Sequence, residues 1–383
     1  MTGTSTYDFD LHGIVGIRLL DATPEDLAKV GRQLGPLRRE LDREPDISIR
    51  FVDETGAGRL TCVGLGDTGF DANGFFALRG AGGVRGKALL PLDRIGRHPV
   101  IVCERRLPAV PHLLPVINFT ALGKGVLPLH ASAFTSGSTG VLVTGWAKSG
   151  KTESLLAGMA QGADYIGDEW VYLTPDRQML GLPEPIRLWG WHFEQLPSLL
   201  QARPRRDRIR LSVWQAAAAA GRAGSKAPLP GSALLRKGAP ALDRQTYLQV
   251  PPAELFGSQA IALRGSLDAV VLVLSGEATN IDVGRAGPQE VSGRMRASLA
   301  DERAPFMAHY RQFQYAFPGR HSEAVEAAPA TEARLLAELF DHRPAARVVH
   351  PYPCDIAELG RAVLAAAHDM PAAPTTGPEV VAS

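Results

Sequence analysis

A short apolar run, Val141-Leu-Val-Thr144, leads directly into Gly145-Trp-Ala-Lys-Ser-Gly-Lys-Thr152, and no other stretch limits the fold so tightly. The octapeptide fits G-x-x-x-x-G-K-[ST]. The run before it has the unbroken β-branched character of a strand buried in a parallel sheet, while Leu155, Leu156, Met159 and Ala160 recur after it at helical spacing. Strand, glycine loop and helix in that order make a phosphate cradle, because the loop N–H groups and the helix N-terminus all point at negative charge. Gly145 and Gly150 are expected at positive φ, where the missing side chain lets the backbone approach a polyphosphate closely. The backbone of Gly145, Trp146, Ala147, Lys148, Ser149 and Gly150 would then wrap a nucleoside triphosphate. Lys151 would neutralise its β and γ phosphates, and the Thr152 hydroxyl would hold Mg²⁺. Lys148 either adds charge near the γ-phosphate or is simply solvated.

The segment Asp164-Tyr-Ile-Gly167 reads as a short strand that ends in two adjacent acids, Asp168 and Glu169. It lies one crossover after the cradle, so its acids fall at the carboxyl edge of the sheet, where nucleotides bind in such folds. One acid can hold Mg²⁺ while the other accepts a hydroxyl proton. An exposed Asp-Glu turn is the plainer alternative.

His130 stands fifteen residues before Gly145, Glu153 follows Lys151-Thr152, Gly162 precedes the acids, and Asp168 stands seventeen residues after Lys151. Together these resemble the catalytic domain of HPr kinase/phosphorylase, which pairs a histidine-spaced glycine loop ending in G-K-S-E with a G-x(5)-D-D segment. The match is close over 130–170 and looser out to 290, and residues 1–110 share nothing visible with the N-terminal domain of that family. The resemblance implies an α/β fold: a P-loop nucleotide-binding core of the HPr kinase/PEP carboxykinase type, with a smaller N-terminal α+β domain and C-terminal helices. It implies that the loop from Gly145 to Glu153 binds ATP and that Thr152 replaces the metal-binding serine. Asp168 falls on the base that activates the acceptor hydroxyl, and Glu169 falls on the second acid, which binds Mg²⁺. His130 matches the family histidine near the acids. By pattern alone, a histidine beside Leu127 and Leu129 reads more simply as a satisfied strand residue. Glu169 is one methylene longer than the family's aspartate yet keeps the oxygen ligand that Mg²⁺ prefers. Glu184, in Gly181-Leu-Pro-Glu-Pro185, lies where a further metal carboxylate would come, and Glu277, past the apolar run Ala269 to Leu274, is a rival for it.

At 383 residues the chain has room for more than one domain. Residues 1–125 read as an α+β accessory part ending in an apolar bridging helix over 111–125. Residues 126–290 read as the nucleotide-binding core, 291–370 as helical, and 371–383 as a disordered tail. The accessory part shows strands at Ile14–Leu19, Ile47–Phe51, Leu60–Leu65, Phe75–Leu78 and Val100–Cys103, with one helix from Thr23 to Leu41. After Arg285 the expected helices are 290–300, 303–313, 331–340 and 355–367.

Lys plus Arg (41) against Asp plus Glu (40) leaves no net field to attract nucleic acid or an anionic membrane. No apolar run approaches the ~20 residues of a membrane span, and the N-terminus lacks a signal pattern, so a cytoplasmic protein is expected. Cys62, Cys103 and Cys354 lack the spacing of a zinc site or a disulfide framework. The basic run Arg203 to Arg210 suits an acidic peptide or, more plainly, a solvated face. Trp189, Trp191 and His192 suit an acceptor wall or a core. The functional expectation is a Mg²⁺-ATP-dependent kinase acting on a hydroxyl, serine in a protein or peptide first, in a chain that can be a homo-oligomer. A small-molecule kinase and an ATP-binding switch that phosphorylates nothing are the alternatives.

Overall fold

The computed structural model describes residues 5–64, 66–79, 83–201, 203–213, 247–277, 279–340 and 345–369. The alanine-rich segment 213–222, helical by propensity, lies outside them except for Val213, as do the Gly/Pro/Ser/Lys-rich segment 222–232 and the tail 371–383. The fold is mixed α/β. Its contacts divide into two compact units, the described residues of Met1–Glu184 with Ala262–Ser383, and those of Pro185–Ile261.

The first unit opens with an eight-stranded sheet. Its strands are β1 (Ser5–Leu11), β2 (Val15–Ala22), β3 (Ile47–Val52), β4 (Thr61–Val63), β5 (Thr68–Asp71), β6 (Gly74–Arg79), β7 (Arg85–Leu89) and β8 (Val100–Glu104), in the order β1-β2-β3-β8-β7-β6-β5-β4. The five strands expected from sequence all form. Helix α1 (Pro24–Leu34) crosses between the parallel strands β2 and β3. Thr23 caps it, accepting from the Asp26 backbone while the Asp26 carboxylate accepts from Thr23, so two orphan donors are satisfied at once. The helix stops at Leu34 rather than Leu41 because Gly35-Pro36 follows. Gly35 adopts φ +71 and the ring of Pro36 cannot continue the turn.

Helix α2 (Leu113–Gly123) leads into the second sheet, as the apolar run there requires. That sheet has nine strands: β9 (Leu127–Ser136), β10 (Thr139–Thr144), β11 (Asp164–Gly167), β12 (Trp170–Leu173), β13 (Gln178–Gly181), β16 (Arg264–Ser266), β17 (Ala269–Gly276), β18 (Asp282–Ala286) and β19 (Ala345–Pro351). The order is β16-β13-β12-β9-β10-β17-β19-β18, with β11 also paired to β9. Strands β10, β17 and β19 are parallel, and the apolar β17 sits between the other two. Helix α3 (Lys151–Ala160) follows β10.

Three helices complete the unit: α4 (Pro288–Ala316), α5 (Glu323–Phe340) and α6 (Ile356–His368). The two helices expected over 290–300 and 303–313 are one continuous helix that accommodates Pro305. The expectation that everything after Arg285 is helical fails at β19. Its Ala345-Ala-Arg-Val-Val-His-Pro351 alternates too weakly to announce a strand, yet it pairs with β17 across Val271 to Gly276. Helix α6 begins at the expected place, with Asp355 accepting from the Glu358 backbone at 2.8 Å, and packs on α3. One buried apolar cluster runs from Phe9 of β1 through α2, β9 and β17 to Phe340 of α5. Among the described residues no helix is long and apolar enough to cross a membrane.

The second unit holds an antiparallel pair, β14 (Ile186–Trp189) and β15 (Tyr247–Val250), with short helical turns. Arg203 is buried and pairs with Glu254 at 2.8 Å, whereas Arg205, Arg206, Arg208 and Arg210 are exposed. His192 is buried and accepts from the Trp189 backbone through Nδ1 at 2.8 Å, which gives it a structural partner.

Candidate functional site

Strand β9 is flanked on both sides, and its two flanks build the site. Its residues 131–136 pair with β10, which runs into the glycine loop. On the other side β11 pairs with residues 133–135 and β12 with residues 127–130, so 164–173 is a single line of strand broken only at Asp168-Glu169. At the break the Trp170 N–H donates to the Asp168 carbonyl at 2.9 Å, closing a three-residue turn with Glu169 at φ +67. That conformation is strained for a residue with a Cβ, and strain of this kind gathers at functional sites. The turn is anchored where the Ala131 N–H donates to the Glu169 carbonyl.

Alternate residues of β9 then hold one acid each. The Ser132 hydroxyl donates a short hydrogen bond to Asp168 Oδ1, and the Thr152 hydroxyl, from the first turn of α3, donates to Oδ2 at 3.0 Å. His130 Nε2 lies 3.1 Å from Glu169 Oε2. Asp168 is therefore brought against the glycine loop's helix, and His130 against Glu169, across 130–169 of the chain.

The loop itself has Lys148 at φ +64 and Gly150 at φ +103, just before the helix begins at Lys151. The positive φ expected at Gly145 is not found there. Gly145 is required by space instead, since a Cβ would sit 2.4 Å from the Val273 carbonyl and 2.3 Å from Ser149 Oγ. At Gly150 a Cβ would meet His350 Nε2 at 2.6 Å, and the same nitrogen lies 2.7 Å from the Ser149 carbonyl. His350, at the end of β19, thus braces the loop from behind. Trp146, Ala147 and Lys148 are exposed, while Ser149, Gly150 and Lys151 are buried. Lys151 Nζ is folded back, donating to the carbonyls of Gly145 at 3.1 Å and Trp146 at 2.9 Å. Thr152 and Glu153 are half-buried on the first turn of α3. Ser149 Oγ is buried with no hydrogen-bond partner among the described residues.

A residue that no motif marked completes the cluster. Glu302, in the middle of α4, places Oε1 2.9 Å from His130 Nδ1, a close ion-pair contact rather than an aligned hydrogen bond. The next residue, Arg303, forms a two-armed pair with the buried Glu332 of α5 at 2.6 and 2.8 Å. Sequence held a faint signal for both. Met295, Leu299, Phe306, Tyr310 and Phe313 form the buried stripe of α4, and 302 and 303 fall on that stripe as charged residues. A charged pair at core spacing calls for buried partners.

The charges act on one another. Burial raises the Asp168 carboxyl to about 6, the Glu169 charge adds to this, and the Ser132 and Thr152 hydrogen bonds oppose it. Burial pushes the Lys151 ammonium down, against the pull of Glu169 and Asp168. Burial also disfavours the His130 imidazolium, but Glu169 and Glu302 together outweigh it and hold the ring above its ordinary value. Glu302 is lowered, first by its close contact with His130. Of the other acids considered from sequence, Glu277 is exposed beyond the end of β17, and Glu184 follows β13 with its charge bearing on Tyr165 and Tyr172.

The site is thus a loop carrying Lys148 and Lys151 at a helix start, faced by a buried acid on the strand line beyond β9 and by a second acid tethered by histidine. Among the described residues no three His, Cys, Asp or Glu side chains are arranged to hold a metal unaided. No family model matches the sequence, and no curated protein matches it.

Proposed function

We propose that the protein is a Mg²⁺-ATP-dependent kinase with a P-loop core, transferring the γ-phosphate to a hydroxyl, with serine in a protein or peptide as the acceptor class. The observation that carries this reading is the 3.0 Å bond from Thr152 to Asp168, which sets the acid turn against the first helical turn after the glycine loop. A loop that only bound nucleotide would have use for a metal carboxylate but none for a second acid held at the same place.

The residues present fit both ligands. Ser149 Oγ is a buried polar atom with no partner among the described residues, and the missing side chains at Gly145 and Gly150 let the loop close on Val273, Ser149 and His350, which fixes the course of the backbone whose N–H groups would meet phosphate oxygens. Mg²⁺ keeps several waters and takes its remaining ligands from one or two carboxylates and the substrate phosphates, so Thr152 and Glu169 would be the residues that hold it. When bound, the ion neutralises charge on the transferred group. Lys151 would exchange its two carbonyl acceptors for phosphate oxygens. Asp168 would orient the acceptor hydroxyl and take its proton. A carboxyl with a pKa of about 6 is ionised at neutral pH yet basic enough to accept a proton.

Incubation with γ-labelled ATP and either a protein extract or its low-molecular-weight fraction tests the reading and separates acceptor classes. Label in a protein or peptide supports it as stated. Label only in small molecules changes the acceptor, and hydrolysis with no labelled product in either fraction contradicts the kinase.

A further inference from the structure

We propose that Glu302 is a positioning residue of this pocket: from α4 it holds the His130 ring at Nδ1 and thereby keeps the Glu169 carboxylate, on the ring's other nitrogen, in place. The role given to the carboxylate rests on the kinase reading, whereas the clamp does not.

The geometry is that of a ring gripped from both ends. Nδ1 lies 2.9 Å from Glu302 and Nε2 lies 3.1 Å from Glu169, with the His130 side chain only 7% exposed. Glu169 lies on a three-residue turn at φ +67 with its side chain 43% exposed, and the His130 ring reaches its Oε2 from β9. An exposed carboxylate on such a turn has several rotamers open to it, and a fixed imidazole selects among them. The imidazole in turn needs a second anchor, because a ring bonded at one nitrogen can still tilt.

Glu302 is built to be that anchor. It lies on a 29-residue helix, where its neighbour Arg303 is locked to Glu332 by two parallel bonds, so the helix can neither rotate nor slide without breaking a buried ion pair. One and two turns further on, Phe306 and Tyr310 are buried in the core. The anchor of an acid at position 169 is thereby carried by the packing of α4 against α5, far from the glycine loop in sequence.

Two measurements test the clamp. The first is a double-mutant cycle on the unliganded protein with Glu302→Gln, Glu169→Gln and the combination, read as shifts in the urea unfolding midpoint. Each change acts through the same ring, so once one acid is neutralised the other is gripped less well. The combined shift is expected to be smaller than the sum of the two. Additive shifts would overturn the proposal. The second is calorimetric titration of Mg²⁺ into protein saturated with ADP, comparing wild type with Glu302→Leu. The expected result is a Mg²⁺ affinity weakened about tenfold or more, with ADP affinity in EDTA unchanged. Unchanged Mg²⁺ affinity in a folded Glu302→Leu protein, or equal loss of ADP and Mg²⁺ binding, would count against Glu302 acting through Glu169. A wild type that binds ADP with no response to Mg²⁺ sinks the kinase reading, and the cycle then decides the clamp alone.

Discussion

Asp168 carries opposed forces: it is a buried acid, hydrogen-bonded by two hydroxyls, beside another acid. Its carboxyl is raised in the folded state from 3.8 to about 6, so the native protein binds a proton that the unfolded chain has lost. The sign follows from linkage: the contribution of this group to stability falls as pH rises from about 4 to about 6 and stays lost above. Asp168→Asn removes the penalty, and should raise stability at pH 7.5 by on the order of 2 kcal/mol in urea titrations while abolishing most turnover. A destabilised variant would show that the hydroxyls outweigh burial. By the same titration, kcat/KM should fall as pH drops through about 6. At Gly150 two demands coincide, φ +103 and the approach of His350 Nε2. Gly150→Ala should cost about 1–3 kcal/mol and remove nucleotide binding, as read by thermal shift with and without ATP.

At the scale of elements, β10, the loop and α3 were legible because their eight central residues carry geometry and chemistry together and lie in one continuous stretch. Helix α6 was legible from its cap, and the strand Asp164–Gly167 before the two acids from its own residues. What was not legible depends on partners far away in the chain. Strand β19 is a strand because β17 offers a parallel edge, not because its own sequence insists on it. The roles of Ser132, Glu302 and His350 are set by contacts across 36, 172 and 201 residues, which local pattern cannot register. The Arg303–Glu332 pair, with side-chain exposures of 14% and 3%, gives α4 and α5 their own test. Glu332→Leu alone should destabilise by about 3–5 kcal/mol, because it strands a buried guanidinium, while Arg303→Met with Glu332→Leu should recover most of the loss. Equal stability of the single and double variants, measured by urea unfolding, would show that the pair is not the cause.

At the scale of the whole molecule, the buried cluster runs from Phe9 to Phe340, and the parallel centre of the second sheet is completed only by β19, close to the end of the described chain. A chain ending at Phe340 would leave Val271 and Val273 on an open edge and take away His350 from behind the loop, so it should show no cooperative thermal transition. Cooperative unfolding of that shortened chain would mean the core closes without its last strand. The central claim, that the loop grips a triphosphate while Asp168 serves the acceptor across the same pocket, has its most direct test in one comparison. In single-turnover transfer from γ-labelled ATP by Asp168→Asn, set beside ATP affinity measured on the same preparation, the expected result is wild-type affinity with transfer slowed about 10²–10⁴-fold. Full-speed transfer, or affinity and transfer lost together, would contradict the account.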